Sequence, residues 1–209
     1  RAEVREAARL TLPRDLPVVV SDSVFMGRLP AVSTDQEGGT RAVVEHLLEL
    51  GHPTVHHIAG PSDSLPARVR RLAWEQNLRA RGRTVPEVIQ GDWTSESGYA
   101  AGARIAADPS VTAVFCANDL AAVGFMNRAM ELGFRVPHDV SVAGFDGINI
   151  GEHVRPSLST IRTAPRELGR EAGRILLAAI DGDDVADVTV APARLILRDS
   201  VGRIHTPAA

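Results

Sequence analysis

Polar and aromatic side chains follow the carboxyl ends of the strands that hydrophobic periodicity predicts. Asp22, Trp93, Asn118 with Asp119, and Asp146 lie just past strands, and Arg68 and Arg70 come from the helix after the turn at residues 58–61. Ligands of open α/β sheets bind outside the carboxyl ends of the strands, so we expect these side chains to face one cleft. Carboxylates and an amide accept hydrogen bonds from vicinal hydroxyls, a guanidinium donates to oxygens, and an indole covers the apolar face of a ring. The set predicts a binding site for a sugar-like polyol.

Each of these residues also has a purely structural interpretation. Asn118 or Asp119 can cap the helix that begins there, as these residue types often do. Asp146 can be an ordinary turn aspartate, and Trp93 can pack on the following helix as a hydrophobic staple. Arg70 can belong to a solvated charged face. Only the joint placement of the set at predicted strand ends favours a binding site.

Other chemistries lack the residues they need. All 23 basic residues are arginine, and the absence of lysine excludes a Walker A phosphate loop and a Schiff-base enzyme. His56 and His57 are adjacent in a strand pattern, so they point to opposite faces and are poorly placed to share a metal. His46 and His52 miss the four-residue helical spacing of a zinc pair. No nucleophile and base occur together, so we predict no catalysis, no metal and no cofactor.

Composition restricts the class of protein further. The chain has 209 residues, 44% hydrophobic and 23% charged, which is enough to bury a core. A formal net charge of −3 argues against these residues gripping nucleic acid themselves. No apolar run approaches the roughly 18 residues of a membrane span, and residues 1–5 do not resemble a signal peptide, so we expect a soluble cytoplasmic protein. The single cysteine, Cys116, lies in an apolar run and predicts a buried, inert thiol.

Short β-branched runs alternate with longer amphipathic stretches, which indicates an α/β fold. Strands are predicted at residues 17–20, 54–59, 85–90, 111–116, 139–143, 158–162 and 193–198. Helices are predicted at residues 38–50, 67–81, 96–107, 119–132 and 165–180. Four of these helices stop at or near a glycine, and the third stops before Asp108.

Five strings, in order along the chain, resemble a known family. They are Asp-Gln-Glu-Gly-Gly (35–39), His-Leu-Leu-Glu-Leu-Gly-His (46–52), Ile-Ala-Gly-Pro (58–61), Ala-Asn-Asp-Leu-Ala-Ala-Val-Gly (117–124) and Val-Pro-His-Asp-Val-Ser-Val-Ala-Gly-Phe-Asp (136–146). Their order and spacing resemble the effector-binding domain of the lactose-repressor/galactose-repressor (LacI/GalR) family of transcription regulators. Residues 67–74 and 91–99 are most similar to the lactose-repressor branch. The resemblance covers essentially the whole chain.

The resemblance implies a sugar site made of the same strand-end residues. In the lactose-repressor type of site, the sugar is contacted by the residues that match Asp22, Arg70, Trp93, Asn118 and Asp146. This sequence departs from that type at Thr163, where the lactose repressor has glutamine, and at Thr34, where it has an aromatic residue. These two further ligand-binding positions leave the identity of the sugar open.

The family fold implies two doubly wound, parallel-sheet α/β subdomains of the periplasmic-binding-protein type, with the effector cleft between them. Three chain crossings are expected near Thr34, Thr163 and Ala191. Residues 1–34 and 163–191 then form part of an incomplete N-terminal subdomain, and residues 35–162 and 192–209 form the C-terminal one. The DNA-binding headpiece of the family is not in this sequence, so we expect a piece of a longer regulator that does not bind operator DNA alone.

The resemblance also implies a homodimer, or a tetramer, in which effector binding shifts the orientation of the subdomains and the affinity for operator. The implied dimer contacts are Tyr99, Val123, Asn127, Ile150 and His153. From the pattern alone, Val123, Met126 and Met130 can equally belong to the core.

Two other classes of protein compete with the regulator. A solute-binding protein of a sugar ABC transporter shares the fold and much of the site. Against it, the string at residues 136–146 and the ending at residues 192–200 are more typical of the regulators. A hydrolase that uses Asp22 or Asp146 lacks a partner arrangement for catalysis.

Overall fold

The computed structural model describes residues 16–105, 108 and 110–204, and within them strands alternate with helices. The strands are β1 (Val20–Ser21), β2 (Ala31–Thr34), β3 (His56–Ala59), β4 (Ile89–Gln90), β5 (Ala113–Cys116), β6 (Ser141–Asp146), β7 (Ser159–Arg162), β8 (Val188–Ala191) and β9 (Arg194–Ile196). The helices are α1 (Gln36–Glu49), α2 (Leu65–Ala80), α3 (Ser95–Ile105), α4 (Asp119–Glu131), α5 (Ile150–His153) and α6 (Pro165–Asp181). None of the helices in this part of the chain combines the length and apolar character that a membrane span needs.

The larger sheet has six strands in the order β4-β3-β5-β6-β7-β9. All its pairings are parallel except the one between β7 and β9. Alternate residues of β5 enter two separate cores: Val114 and Cys116 pack with α3 and α4, and Phe115 packs with α1 and α2. Helices therefore cover both faces of this sheet, which confirms the predicted doubly wound α/β fold.

The smaller sheet has three parallel strands in the order β1-β2-β8, and α6 packs against it. The chain passes between the two sheets after Thr34, after Arg162 and after Ala191. Several apolar side chains of α6 and β8 are exposed, among them Leu177 and Val190. The division of the chain into two subdomains at residues 34, 162 and 191 stays a prediction, and residues 1–15 and 205–209 of that scheme lie outside the described residues.

Seven predicted strands and five predicted helices are present, with changes at their ends. The strand predicted at 139–143 begins at Ser141, because Asp139 lies in a turn where it accepts hydrogen bonds from the backbone and guanidinium of Arg135. The strand predicted at 85–90 shortens to Ile89–Gln90. The third helix is described to Ile105, and residues 106 and 107 of its predicted range lie outside the described part.

The sequence analysis missed β2, β8 and the short helix α5. Strand β2, Ala-Val-Ser-Thr, has one β-branched apolar residue, so it lacks the apolar run by which the other strands are predicted. Strand β8 shows an alternation, Val-Thr-Val-Ala, but over four residues only. Helix α5 is a single turn, too short for a helical period to be seen.

Candidate functional site

The carboxylate of Asp22 lies where β1 ends, in a left-handed backbone conformation with φ of 43°. Its Oδ1 atom accepts hydrogen bonds from the Ser33 hydroxyl at 2.7 Å, from the Thr34 backbone N–H at 3.3 Å and from the Gln36 side-chain amide at 3.4 Å. Its Oδ2 atom has no partner among the described residues. Asp22 is thus fixed by β2 and by the start of α1 and retains one free acceptor.

The guanidinium of Arg70 is deeply buried, with 5% of the residue exposed. Its Nε donates to Gln36 Oε1 at 2.7 Å, Nη1 donates to the carbonyl of Ala117, and Nη2 donates to Asp146 Oδ1 at 3.3 Å. Burial lowers the pKa of Arg70, and the negative charge of Asp146 opposes this change. The interpretation of Arg70 as part of a solvated face is therefore wrong.

Two aromatic rings flank this guanidinium. The Arg70 Cζ atom lies 3.7 Å from the ring centroid of Phe145 and 5.5 Å from that of Trp93. Trp93 has a positive φ of 74°, and its indole lies against Gly60, where an added Cβ would be 2.4 Å from the ring atom Cη2. Glycine at position 60 thus makes room for the half-buried indole.

Asn118 is the N-cap of α4, because its Oδ1 accepts a hydrogen bond from the Ala121 N–H at 3.0 Å. Its Nδ2 donates to the carbonyl of Trp93 at 2.8 Å. One amide therefore caps a helix and holds the backbone of Trp93, so the capping and site interpretations are compatible.

Of the two residues that could cap this helix, Asn118 does so and Asp119 does not. Asp119 lies within the first turn and is fully buried, where it accepts hydrogen bonds from the Ile148 N–H at 2.8 Å and from the Thr160 hydroxyl. Burial raises the pKa of the Asp119 carboxyl to about 6. The carboxylate ties α4 to the loop that follows Asp146.

Asp146 ends β6 with a positive φ of 109°. Its carbonyl accepts hydrogen bonds from the N–H of Thr163 at 3.3 Å and from the hydroxyl of Thr163 at 3.1 Å. Burial raises the pKa of the Asp146 carboxyl, and the charge of Arg70 opposes this rise. About a third of the Asp146 side chain, 36%, stays exposed while its Oδ1 pairs with Arg70.

Contacts join all seven of the predicted ligand-binding residues into one network. Asp22, Trp93 and Asp146 are the non-glycine residues with positive φ in the described part of the chain. Such strained conformations persist only where the surroundings enforce them, and they concentrate at functional sites. The sequence analysis missed Gln36, which bridges Asp22 and Arg70. Its string at 35–39 had been noted, but a glutamine at the start of a helix carries no signal of its own.

A cavity of about 160 Å³ adjoins Asp22 and Gln36, with apolar walls that include Leu65 and Val69. A second cavity of about 570 Å³ includes Thr163 in its lining. The described residues contain no group of three or more His, Cys, Asp or Glu side chains arranged to hold a metal ion. The groups that Asp22, Arg70 and Trp93 bring to the site are hydrogen-bond acceptors, hydrogen-bond donors and an aromatic face.

The other predicted residues lie apart from this network. Four of the predicted dimer contacts are exposed on the surface: Tyr99, Asn127, Ile150 and His153. Val123 and Met130 are partly buried against the core that contains Met126, so the core interpretation is confirmed for Met126. The role of the five predicted dimer contacts, Val123 among them, stays a prediction.

Cys116 and His57 are two buried side chains that lie outside this network. Cys116 is free and fully buried, as predicted, and burial raises the pKa of its thiol. His57 is also fully buried, its Nδ1 lies 2.9 Å from the carbonyl of Phe115, and burial lowers its pKa to about 4. Both side chains are core residues.

Comparisons with known proteins agree with this architecture. The family described as periplasmic binding protein-like domain matches residues 44–201. The HTH-type transcriptional regulator CelR of Thermobifida fusca is 34% identical over 169 residues, which cover 79% of this chain and 48% of that protein. The HTH-type transcriptional repressor CytR of Escherichia coli K12 is 35% identical over 193 residues, which cover 90% and 57% of the two chains. The chain thus spans about half the length of these curated relatives.

Two solved structures extend the comparison to three dimensions. A dimeric Lac repressor with an 11-residue C-terminal deletion superimposes with a TM-score of 0.87 at 31% identity, over 98% of this chain and 74% of that one. A complex of the regulator CelR with cellobiose superimposes with a TM-score of 0.79 at 31% identity, over 87% of this chain and 58% of that one.

Proposed function

We propose, from the premise that this chain belongs to the LacI family and forms part of its effector-binding domain, that it binds a neutral sugar or glycoside whose occupancy controls a DNA-binding regulator. The observation that carries the proposal is the buried guanidinium of Arg70, held between Asp146 and Gln36 and flanked by Trp93.

The free hydrogen-bonding capacity of the site matches a polyol. Three N–H groups of Arg70 donate within the protein, and the guanidinium retains further N–H groups on its terminal nitrogens. The second oxygens of Asp22 and Asp146 are free to accept. A hydroxyl both donates and accepts, so neighbouring hydroxyls of a sugar can satisfy Arg70 and Asp146 together. The indole of Trp93 provides an apolar face for the ring carbons.

The charge of the site favours a neutral ligand. Asp22 and Asp146 contribute two carboxylates, and Arg70 contributes one guanidinium that already pairs with Asp146. A phosphate or carboxylate on the ligand would meet these acidic groups, and like charges at such distances are unfavourable. We therefore place uncharged sugars and glycosides ahead of sugar phosphates and sugar acids.

The regulatory mechanism we propose is a shift between orientations of the two sheets. Asp22 extends from the smaller sheet, and Arg70 and Asp146 belong to elements of the larger one. A ligand that contacts both stabilises one orientation over others, and a coupling of about 1–3 kcal/mol changes operator affinity roughly 5- to 150-fold. We assign DNA binding to a part of the whole regulator outside these 209 residues.

The partners follow from the same proposal. A regulator that reads two half-sites works as a dimer, and the exposed Tyr99, Asn127, Ile150 and His153 with Val123 beside them are the contacts we propose. Because such a regulator acts on the chromosome, we propose a cytoplasmic location and no catalytic step. The relatives named above are regulators, which favours this function over that of a transporter's solute-binding protein.

Calorimetric titration tests the proposal. The panel contains a galactoside, cellobiose, ribose and a nucleoside, titrated into the chain and into Asp146→Ala and Asp139→Ala variants. We expect saturable binding by one sugar, weakened at least tenfold, about 1.4 kcal/mol, in Asp146→Ala only. Asp139, which precedes β6 at the other end of that strand, is the matched control. Absence of binding across the panel, or equal affinity in Asp146→Ala, overturns the sugar assignment.

A further inference from the structure

Gln36 is the first residue of α1, directly after the chain leaves the smaller sheet at Thr34. Only 6% of the residue is exposed. Its Oε1 accepts the Nε–H of Arg70 at 2.7 Å, and its Nε2 donates to Asp22 Oδ1 at 3.4 Å. A single amide therefore connects a carboxylate of the smaller sheet with a guanidinium carried by a helix of the larger one.

The two hydrogen bonds demand an amide in one orientation. With the amide reversed, its NH₂ group would face the Nε–H of Arg70 and its oxygen would face the carboxylate of Asp22, and both contacts would be repulsive. A glutamate at position 36 would offer only acceptors, and an apolar residue would offer neither group. Only an amide side chain at position 36 can satisfy both Arg70 and Asp22.

The contact at Nε controls how Arg70 presents its remaining donors. A guanidinium is planar, so an acceptor fixed at Nε and another at Nη1 determine the orientation of the whole group. The plane is further confined by the ring of Phe145, whose centroid lies 3.7 Å from Cζ. Without Gln36, the buried Nε–H would lose its partner, and a buried unpaired donor is unfavourable enough to drive reorientation.

We propose that Gln36 is a positioning residue of the effector site, which sets the plane of the Arg70 guanidinium and joins Arg70 to Asp22 so that they respond to a ligand as one unit. Gln36 acts through Arg70 and Asp22 and need not touch the ligand. The contribution to ligand affinity rests on the proposed function, but the contribution to the orientation of Arg70 is measurable without any ligand.

The first experiment measures hydrogen exchange at the arginine Nε–H groups by NMR of the ¹⁵N-labelled chain. The Arg70 signal is assigned by its loss in Arg70→Met. We expect exchange of the Arg70 Nε–H to be at least tenfold faster in Gln36→Met and unchanged in Gln76→Met. Gln76 is an exposed glutamine on the same helix as Arg70, so it receives the same substitution without the contact. An Arg70 Nε–H that exchanges equally slowly in folded Gln36→Met overturns the proposal.

Gln36→Glu separates the two hydrogen bonds and serves where Gln36→Met does not fold. A glutamate keeps an acceptor for Arg70 and loses the donor to Asp22, so the Arg70 Nε–H stays protected. Fast exchange in this variant contradicts the proposal, because it would mean that the acceptor at position 36 does not hold Arg70.

A double-mutant cycle measures how much Gln36 contributes to ligand affinity through Arg70. Cellobiose is the first probe, and the other sugars of the panel follow. We expect Gln36→Met to weaken binding about tenfold in the wild-type background and less than twofold in the Arg70→Met background. Equal losses in both backgrounds overturn the action through Arg70. If no sugar binds, the proposed function fails, and the exchange experiment still decides the role of Gln36.

Discussion

The buried carboxyl of Asp119 makes the stability of this chain depend on pH in a direction opposite to that of a paired surface aspartate. Asp119 is fully buried and accepts hydrogen bonds from Ile148 and Thr160, yet burial raises its pKa from 3.8 to about 6. Between these two values the folded carboxyl retains a proton that the unfolded chain releases. The free energy of unfolding therefore falls as the pH rises from about 4 to about 6, and this contribution is constant above that range.

The size of the effect follows from the two pKa values. A difference of about two pH units corresponds to about 3 kcal/mol at roughly 1.4 kcal/mol per unit. Asp119→Asn removes the titration and retains one oxygen for the Ile148 N–H, while the Thr160 hydroxyl can turn to accept from the new amide. We expect the variant to gain up to about 3 kcal/mol relative to wild type between pH 4 and pH 7.

Urea unfolding of the wild type and of Asp119→Asn at several pH values from 4.5 to 7.5 measures the difference between their free energies of unfolding. The burial of His52, His56 and His57 lowers their pKa values and gives slopes of the opposite sign, but these are common to both proteins and cancel. Asp139→Asn is the control, because the guanidinium of Arg135 lowers the pKa of Asp139 to about 2 and its contribution is constant over this range. Parallel curves for wild type and Asp119→Asn would refute the assignment of a buried, proton-retaining carboxyl.

Three further predictions concern glycines, and each is measured by unfolding and titration. Gly60→Ala places a Cβ 2.4 Å from the indole of Trp93. We therefore expect a shifted tryptophan emission and a sugar affinity lowered at least tenfold, with little loss in the free energy of unfolding. An unchanged affinity argues against the indole as a ligand surface. Gly124→Ala places a Cβ 1.9 Å from the backbone oxygen of Ser95, so α3 and α4 must separate. We expect the free energy of unfolding to fall by at least about 2 kcal/mol. A fall of less than about 0.5 kcal/mol contradicts this packing. Gly133→Ala meets no neighbour but has φ of 91°, so we expect only about 1 kcal/mol from backbone strain, and a larger loss would indicate an unseen steric contact.

The helices that pack on the larger sheet could be predicted from sequence, because their amphipathic patterns extend over several turns and most of them end at a glycine. Gly51, Gly82, Gly133 and Gly182 follow predicted helices, and all four have positive φ. Two strands of the smaller sheet were missed although they are as long as several strands of the larger one: β2 (Ala-Val-Ser-Thr) is half polar, and β8 (Val-Thr-Val-Ala) is partly exposed. Short strands owe their conformation to the neighbours they pair with, and those neighbours are distant in sequence.

The site divides in the same manner. A rule about strand ends suffices to find Asp22 and Asp146, because it depends only on where a predicted strand stops. The positions of Gln36 and Asp119 in the network depend on partners that are 34 and 41 residues away in sequence, Arg70 for Gln36 and Thr160 for Asp119. No local pattern specifies such a pair, so tertiary contacts alone reveal which polar residues hold the proposed site together.

The strained residues explain why the site needs so many polar contacts that do not face a ligand. Each left-handed non-glycine residue is unfavourable by about 1–3 kcal/mol. Asn118 Nδ2 holds the carbonyl of Trp93, Thr163 holds the carbonyl of Asp146, and β2 holds the carboxylate of Asp22. At net values of about 0.5–1.5 kcal/mol each, such hydrogen bonds offset part of the strain of each residue. The contacts of Asn118 and Thr163 therefore help to hold Trp93 and Asp146 in their strained conformations, which is what the proposed site requires of them.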